Sequence, residues 1–157
     1  MTTMERAQVL EKVREAREAG RRADLTDADL TDADLSDADL TGADLTYAEL
    51  RGAELRGATL TDAILTRANL IGADLRGADL TGAVLTNAWL EGANLTTKQL
   101  LDAKGLRPGA SELHRGTWDE LLPINPQRRQ LVEHLLNDGW NGTLREAIAT
   151  VEGLAGR

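Results

Sequence analysis

The chain has 157 residues, 41% of them hydrophobic, with 26 acidic side chains against 18 basic ones and a net charge of −8. It has no cysteine, which excludes a disulfide framework, a thiolate nucleophile and cysteine metal ligation, and no apolar run is long enough to span a bilayer. The length fits one domain, and the acidic balance disfavours nucleic acid and anionic membrane as direct partners.

Residues 1–22 hold six basic and four acidic side chains. They begin MTTMERAQ, without the apolar core of a signal peptide, so a cytoplasmic protein is expected. Residues 2–19 predict a helix. Thr2 and Glu5 form a capping box, Val9, Val13 and Ala16 recur at helical spacing with Leu10 beside them, and Gly20 suits the C-terminal end. Its expected role is to cap an open end of the element that follows.

That element, residues 23–97, reads in fives: ADLTD ADLTD ADLSD ADLTG ADLTY AELRG AELRG ATLTD AILTR ANLIG ADLRG ADLTG AVLTN AWLEG ANLTT. Leu fills the third position of all fifteen units and Ala the first. A helix is excluded, because five residues advance 500° and the leucines would spiral around it. A flat strand is excluded too, because an odd spacing puts successive leucines on opposite faces. A chain that turns by a quarter circle at each unit satisfies the pattern. Four units close a square coil of twenty residues, every Leu and Ala points to the axis, and coils stack ~4.8 Å apart. Fifteen units make just under four coils, a solenoid about 18 Å long. Leu25, Leu45, Leu55, Leu75 and Leu95 belong to its core. Gly at the fifth position, as in Gly52, Gly72 and Gly92, suits a tight turn.

Fixed-period self-similarity marks a repeat architecture. The motif A(D/N)LXX resembles the pentapeptide-repeat family, and the resemblance covers residues 23–97. It implies an all-β solenoid, a right-handed quadrilateral parallel β-helix. Phe, common at the central position in some members, is absent here.

The solenoid carries the acidity. Residues 23–97 hold fourteen acidic and four basic side chains, and residues 23–42 hold seven Asp with no Lys or Arg. In a twenty-residue coil, Asp34, Glu54 and Asp74 stack in one column, with Arg56 and Arg76 close by. Ile64 and Val84 stack on another face, while Ile71 and Trp89 lie around the corner. These outward apolar residues need a cover. Both groups are candidate interaction surfaces, and residues 106–157 are expected to cover the apolar one, in the same chain or swapped across a dimer.

The repeat fails after Leu95. Residues 96–104 predict a short helix with Thr96 or Thr97 as N-cap, ending at Gly105 and plugging the second open end. A loop over 106–116 and a helical turn over 117–122 follow. Residues 126–138 and 143–153 predict a helical hairpin with Trp140 in its link, too small to stand alone. The expected organisation is thus a cap over 1–22, a β-helix over 23–97 and a helical segment over 98–157.

The search for chemistry is nearly empty. Ser111, His114 and Asp119 offer a nucleophile, a base and an orienting acid in name only, since their spacing matches no known arrangement and no pocket is evident. His134 sits on a helix beside Leu131 and Leu135 as a packing residue. No phosphate loop occurs, and the Asp ladder lacks the glycine-rich nonapeptide that holds calcium in other β-helices. The expectation is a non-enzymatic scaffold without cofactor or metal. It would bind a protein partner, with a homodimer through the C-terminal helices as one arrangement. The alternative comes from the resemblance. Some members of the family imitate duplex DNA and bind or protect a type II topoisomerase, DNA gyrase. Against it, about 18 Å of solenoid covers only half of a ~34 Å turn of DNA.

Overall fold

The computed structural model describes residues 4–96, 99, 102–104 and 146–150. Between 24 and 94 the chain pairs with itself at a spacing of twenty, always in parallel. Asp24 pairs with Asp44, Asp44 with Ile64 and Ile64 with Val84, and the same spacing links Asp29–Glu49–Asn69–Trp89, Asp34–Glu54–Asp74–Asn94 and Asp39–Thr59–Asp79. Each coil therefore holds four units, and each unit contributes one pairing residue, its second. Pairing is by single residues, and no extended strand forms among the described residues.

The unit 43–47 shows why five residues suffice. Ala43 N–H donates to Leu40 O across the turn at 3.0 Å, Asp44 N–H to Ala23 O in the coil before at 2.8 Å, and Leu45 N–H to Ile64 O in the coil after at 2.7 Å. Tyr47 N–H donates to Thr66 O at 3.0 Å. The remaining amide, Thr46 N–H, donates to Asp44 Oδ1 at 3.1 Å. All five donors are satisfied, which is what a solenoid with a dry axis requires. Asp or Asn at the second position thus has a structural duty. It closes the local turn with its own side chain. The same bond recurs from Asp24, Asp29, Asp34, Asp39, Asn69, Asp74 and Asp79.

Every fifth residue from 27 to 92 has a left-handed backbone, with φ between 54° and 72°. Gly, Asp and Asn tolerate that region best, and Tyr47 and Arg67 are the departures. Gly52 has a second constraint. A Cβ there would lie 2.2 Å from Asp32 Oδ1, because the carboxylate of the coil before sits over it.

Leu25, Leu45, Leu55 and Leu75 are fully buried, with the alanines packed among them. Leu95 departs from expectation and is only partly buried, since it ends the repeat and no described residue stacks beyond it.

The first helix, α1, spans Arg6–Glu18, shorter than expected. Its cap residue is Glu5, whose N–H donates to Gln8 Oε1 at 3.0 Å, while Thr2 lies outside the described residues. Val9, Val13 and Ala16 join the leucine core. Inside the solenoid, the carbonyl of each second-position residue accepts from the coil before it. In the first coil there is none, and donors from α1 and from Met4, two residues ahead of it, take over. Lys12 Nζ reaches Asp24 O at 3.4 Å, Met4 N–H reaches Asp29 O at 2.7 Å, Arg6 Nη1 reaches Asp34 O at 3.1 Å and Arg17 Nη2 reaches Asp39 O at 3.3 Å. One carbonyl on each of the four faces is satisfied, three of them by basic side chains.

Beyond Leu95, the helix expected over 96–104 stops early. Gln99 and Asp102 are helical, but Ala103 sits buried in the alanine register and Lys104 pairs with Val84 as a further rung. The ladder needs only a small inward side chain and a free backbone, and Ala103-Lys104 supplies both. Thr96 is the N-cap, with Thr96 N–H donating to Gln99 Oε1 at 2.7 Å. Gln99 Nε2 donates to Leu75 O at 2.5 Å and Ala78 O at 2.8 Å. In a regular coil the backbone amide of residue 99 would reach Ala78 O, so the side chain stands in for it. Residues 146–150, within the helix expected over 143–153, are helical, with Ala147 buried and Ile148 against the core. The expected loop over 106–116, turn over 117–122, helix over 126–138 and Trp140 lie outside the described residues.

Three measurements test this account. Leu55→Ala should cost ~2–5 kcal/mol in denaturant unfolding, because coils on both sides hold the cavity open. Gln99→Glu should cost about 1–3 kcal/mol by aiming a carboxylate at two carbonyls, and an unchanged midpoint would show that the amide does not close this end. Acid sensitivity is the third. Hydrogen bonding from Arg17, then from Thr41, lowers the Asp39 carboxyl from 3.8 to about 2. Its contribution is complete above the ordinary carboxylate range and is lost as pH falls through about 2. The melting-temperature gap between the parent and Asp39→Asn should therefore narrow from about pH 5 downward.

Candidate functional site

The acidic column stacks as the register demands, but it does not stand bare. Arg6 lies 3.5 Å from Asp34, Arg56 bonds Glu54 and reaches Asp74 at 3.3 Å, and Arg76 grips Asp74 at 2.6 Å. The Ser36 amide holds the Asp34 carboxyl below its usual range, and the Arg76 guanidinium brings that of Asp74 down to about 2. Three carboxylates thus face three guanidiniums. The pairs are exposed and worth little to stability, but they cancel much of the field the column would project.

The apolar positions are more informative. Ile64, Val84 and Trp89 occupy the second place in their units, where Asp or Asn would close the turn. None has an acceptor to offer, so each leaves the amide two residues on without that bond. Glu49, Glu54 and Thr59 also stand in that place without Asp or Asn, but they stay polar; Ile64, Val84 and Trp89 differ in turning apolar side chains outward. Ile64 and Val84 pair one coil apart and are half-buried, as is Ile71. Trp89 is 56% exposed, and the segment expected to cover it, residues 106–157, lies outside the described residues except for 146–150.

The corner between these faces separates them. It carries Tyr47, Arg67 and Asn87 in successive coils, residues that reading only the faces of the repeat passes over. The twenty-residue spacing, applied to the fifth position of each unit, would have found them. Arg67 Nη1 donates to Tyr47 Oη at 2.8 Å, with the guanidinium carbon 5.5 Å from the ring centroid, so cation and ring hold each other. Alongside, Asn69 Nδ2 donates to Glu49 Oε2 at 2.8 Å while Asn69 Oδ1 closes its own turn. These residues and Trp89 line an open groove of about 420 Å³. The structure thus brings Trp89 together with Tyr47, Glu49, Arg67, Asn69 and Asn87, and puts Ile64 and Val84 on the far side of the corner.

Ser111, His114, Asp119 and His134 lie outside the described residues. Among the described residues no group of three or more metal-ligating side chains occurs, and no helix is long and apolar enough to cross a membrane.

The pentapeptide-repeats family profile, eight copies, matches residues 23–62 and again 63–97. No curated protein matches the chain. Among solved structures, a pentapeptide repeat protein from the cyanobacterium Cyanothece 51142 is 43% identical over 47% of this chain and 50% of that one, with a TM-score of 0.47. A second, from Nostoc PCC 7120, is 46% identical over 55% of this chain and 74% of that one, with a TM-score of 0.32. A third, from the thylakoid lumen of Arabidopsis thaliana, is 25% identical over 81% of this chain and 88% of that one, with a TM-score of 0.37. The chain spans half the length of the Cyanothece chain it matches. With the five-residue repeat, the twenty-residue register and the profile match in agreement, the chain belongs, over residues 23–97, to the pentapeptide-repeat family.

Proposed function

We propose that this protein is a non-enzymatic cytoplasmic scaffold: a right-handed quadrilateral β-helix, capped by α1 at one end and by helical residues at the other, that displays side chains to a protein partner. One observation carries the reading. Ile64, Val84 and Trp89 replace turn-closing residues with apolar ones that face outward. The backbone beneath them is already paired along the axis, so the platform is rigid and recognition falls to side chains. Preorganisation of this kind lowers the ordering cost of association.

The second reading, an acidic imitation of DNA directed at DNA gyrase, rests on the net charge of residues 23–97. The arginines set against Asp34, Glu54 and Asp74 weigh against it, because a duplex presents unpaired negative charge along its length.

The test uses Trp89→Asn in the full chain. Asn restores an acceptor for the Glu91 amide, so stability should hold or rise by up to ~1 kcal/mol. A partner recovered from host extract, then purified and titrated against both forms, should bind the parent and lose at least about tenfold toward the variant, as expected for an aromatic anchor. Equal affinity would move the interface off this face. Recovery of gyrase subunits, with a dose-dependent effect on supercoiling, would favour the second reading. Self-association lost in the variant would identify the partner as another copy of the chain.

A further inference from the structure

The groove joining Tyr47 to Trp89 has a chemistry of its own, independent of any protein partner. Its lining holds one carboxylate, Glu49, one guanidinium, Arg67, two amides, Asn69 and Asn87, and two aromatic rings. The rings are the exposed large hydrophobic side chains among the described residues, Tyr47 at 47% and Trp89 at 56%. In a solenoid with fourteen acidic side chains against four basic ones, this formally neutral groove stands apart.

The bonds already made define what a ligand would meet. Tyr47 Oη accepts from Arg67, which leaves its own proton to donate. Glu49 Oε2 accepts from Asn69 Nδ2, which leaves Glu49 Oε1 as an acceptor and one Asn69 N–H as a donor. Donors and acceptors therefore alternate on planar side chains whose positions the coil fixes. Four backbone donors of the groove are already engaged. Tyr47 N–H, Arg67 N–H, Asn69 N–H and Trp89 N–H all donate within the ladder, to Thr66 O, Thr86 O, Ala48 O and Ala68 O. An extended peptide finds no strand edge on this side of the solenoid, because the ladder's bonds run along the axis from coil to coil. A polyanion would meet the surrounding negative charge, and a polycation would meet Arg67.

A neutral ligand that both donates and accepts in one plane, and is apolar above and below it, fits all of these terms. Pyranose rings have that form, with hydroxyls around the edge and C–H groups on the faces. Tyr47 lies in the second coil and Trp89 in the fourth, about 10 Å apart along the axis by coil height, with Arg67 over one face of the Tyr47 ring and the remaining exposed ring surface open to a ligand. We propose that this groove binds a neutral oligosaccharide, stacked on Trp89 and the open part of Tyr47 and hydrogen-bonded by Glu49, Asn69, Asn87 and Arg67. The inference goes beyond the scaffold reading and does not depend on it.

The experiment is isothermal titration calorimetry of the full chain with cellohexaose, chitohexaose and an oligogalacturonate of the same length. One of the two neutral oligosaccharides should bind with a dissociation constant at or below about 1 mM, and the anionic one more weakly. Trp89→Ala should weaken binding at least about tenfold, Tyr47→Ala likewise, and Trp89→Phe should retain most of it. Trp89 is exposed and its backbone bonds do not involve the ring, so an unchanged melting temperature will show that Trp89→Ala is folded. Absence of binding by both neutral oligosaccharides, equal binding by Trp89→Ala, or preference for the anionic probe would each overturn the proposal.

Discussion

The constraint on which this structure depends is the direction of its amide groups. In a coil of twenty residues, the backbone donors and acceptors that do not close turns point along the axis, toward the coils before and after. Each coil is incomplete without its neighbours, and the ends are incomplete by definition. The composition of the chain follows from this requirement. The second-position Asp supplies the acceptor that the turn lacks, as Asp44 does for Thr46. The acidity of the solenoid, which resembles a signal for a cationic partner, is in large part a set of turn closures.

The two ends show the same requirement met by different means. At the first coil the orphan groups are carbonyls, so donors must come to them, and Lys12, Arg6 and Arg17 reach in from α1. A helix of opposite charge could bury the same apolar face and still leave those carbonyls unpaired. At the other end one glutamine does the work. Gln99 lies in a helical turn with its backbone amide directed at Thr96 Oγ1 rather than the ladder, and its side chain restores the bond to Ala78 O. Ala103 and Lys104 then rejoin the register, so the ladder outlasts the repeat that announces it.

With the ladder running along the axis, the outside of the solenoid is a lattice of side-chain positions at known heights and faces. Most positions carry residues that serve the fold. Asp32 seats over Gly52, and Arg56 and Arg76 neutralise the column they flank. Residues that serve no such purpose become visible by contrast. Trp89 gives up a turn closure to stand in solvent, and Tyr47 and Arg67 hold a left-handed backbone that favours smaller residues.

Much of this was legible in the residues alone. A five-residue period excludes helix and strand on geometry, and only a chain that turns at each unit can put Leu25, Leu45, Leu55 and Leu75 on one axis. The sequence by itself therefore determined the register, the core and the stacking of Asp34, Glu54 and Asp74, because each follows from covalent spacing. It was misleading wherever an outcome depends on contacts that spacing does not set. The helix start moved from Thr2 to Glu5, Leu95 came out half-covered, and the helix to Lys104 yielded to one more rung. Only the tertiary structure decided that Arg67 would rest on Tyr47, that three arginines would cancel much of the acidic column's field and that Gln99 would turn inward. Those are choices of side-chain direction among groups one coil or more apart, and a linear pattern carries positions but not directions.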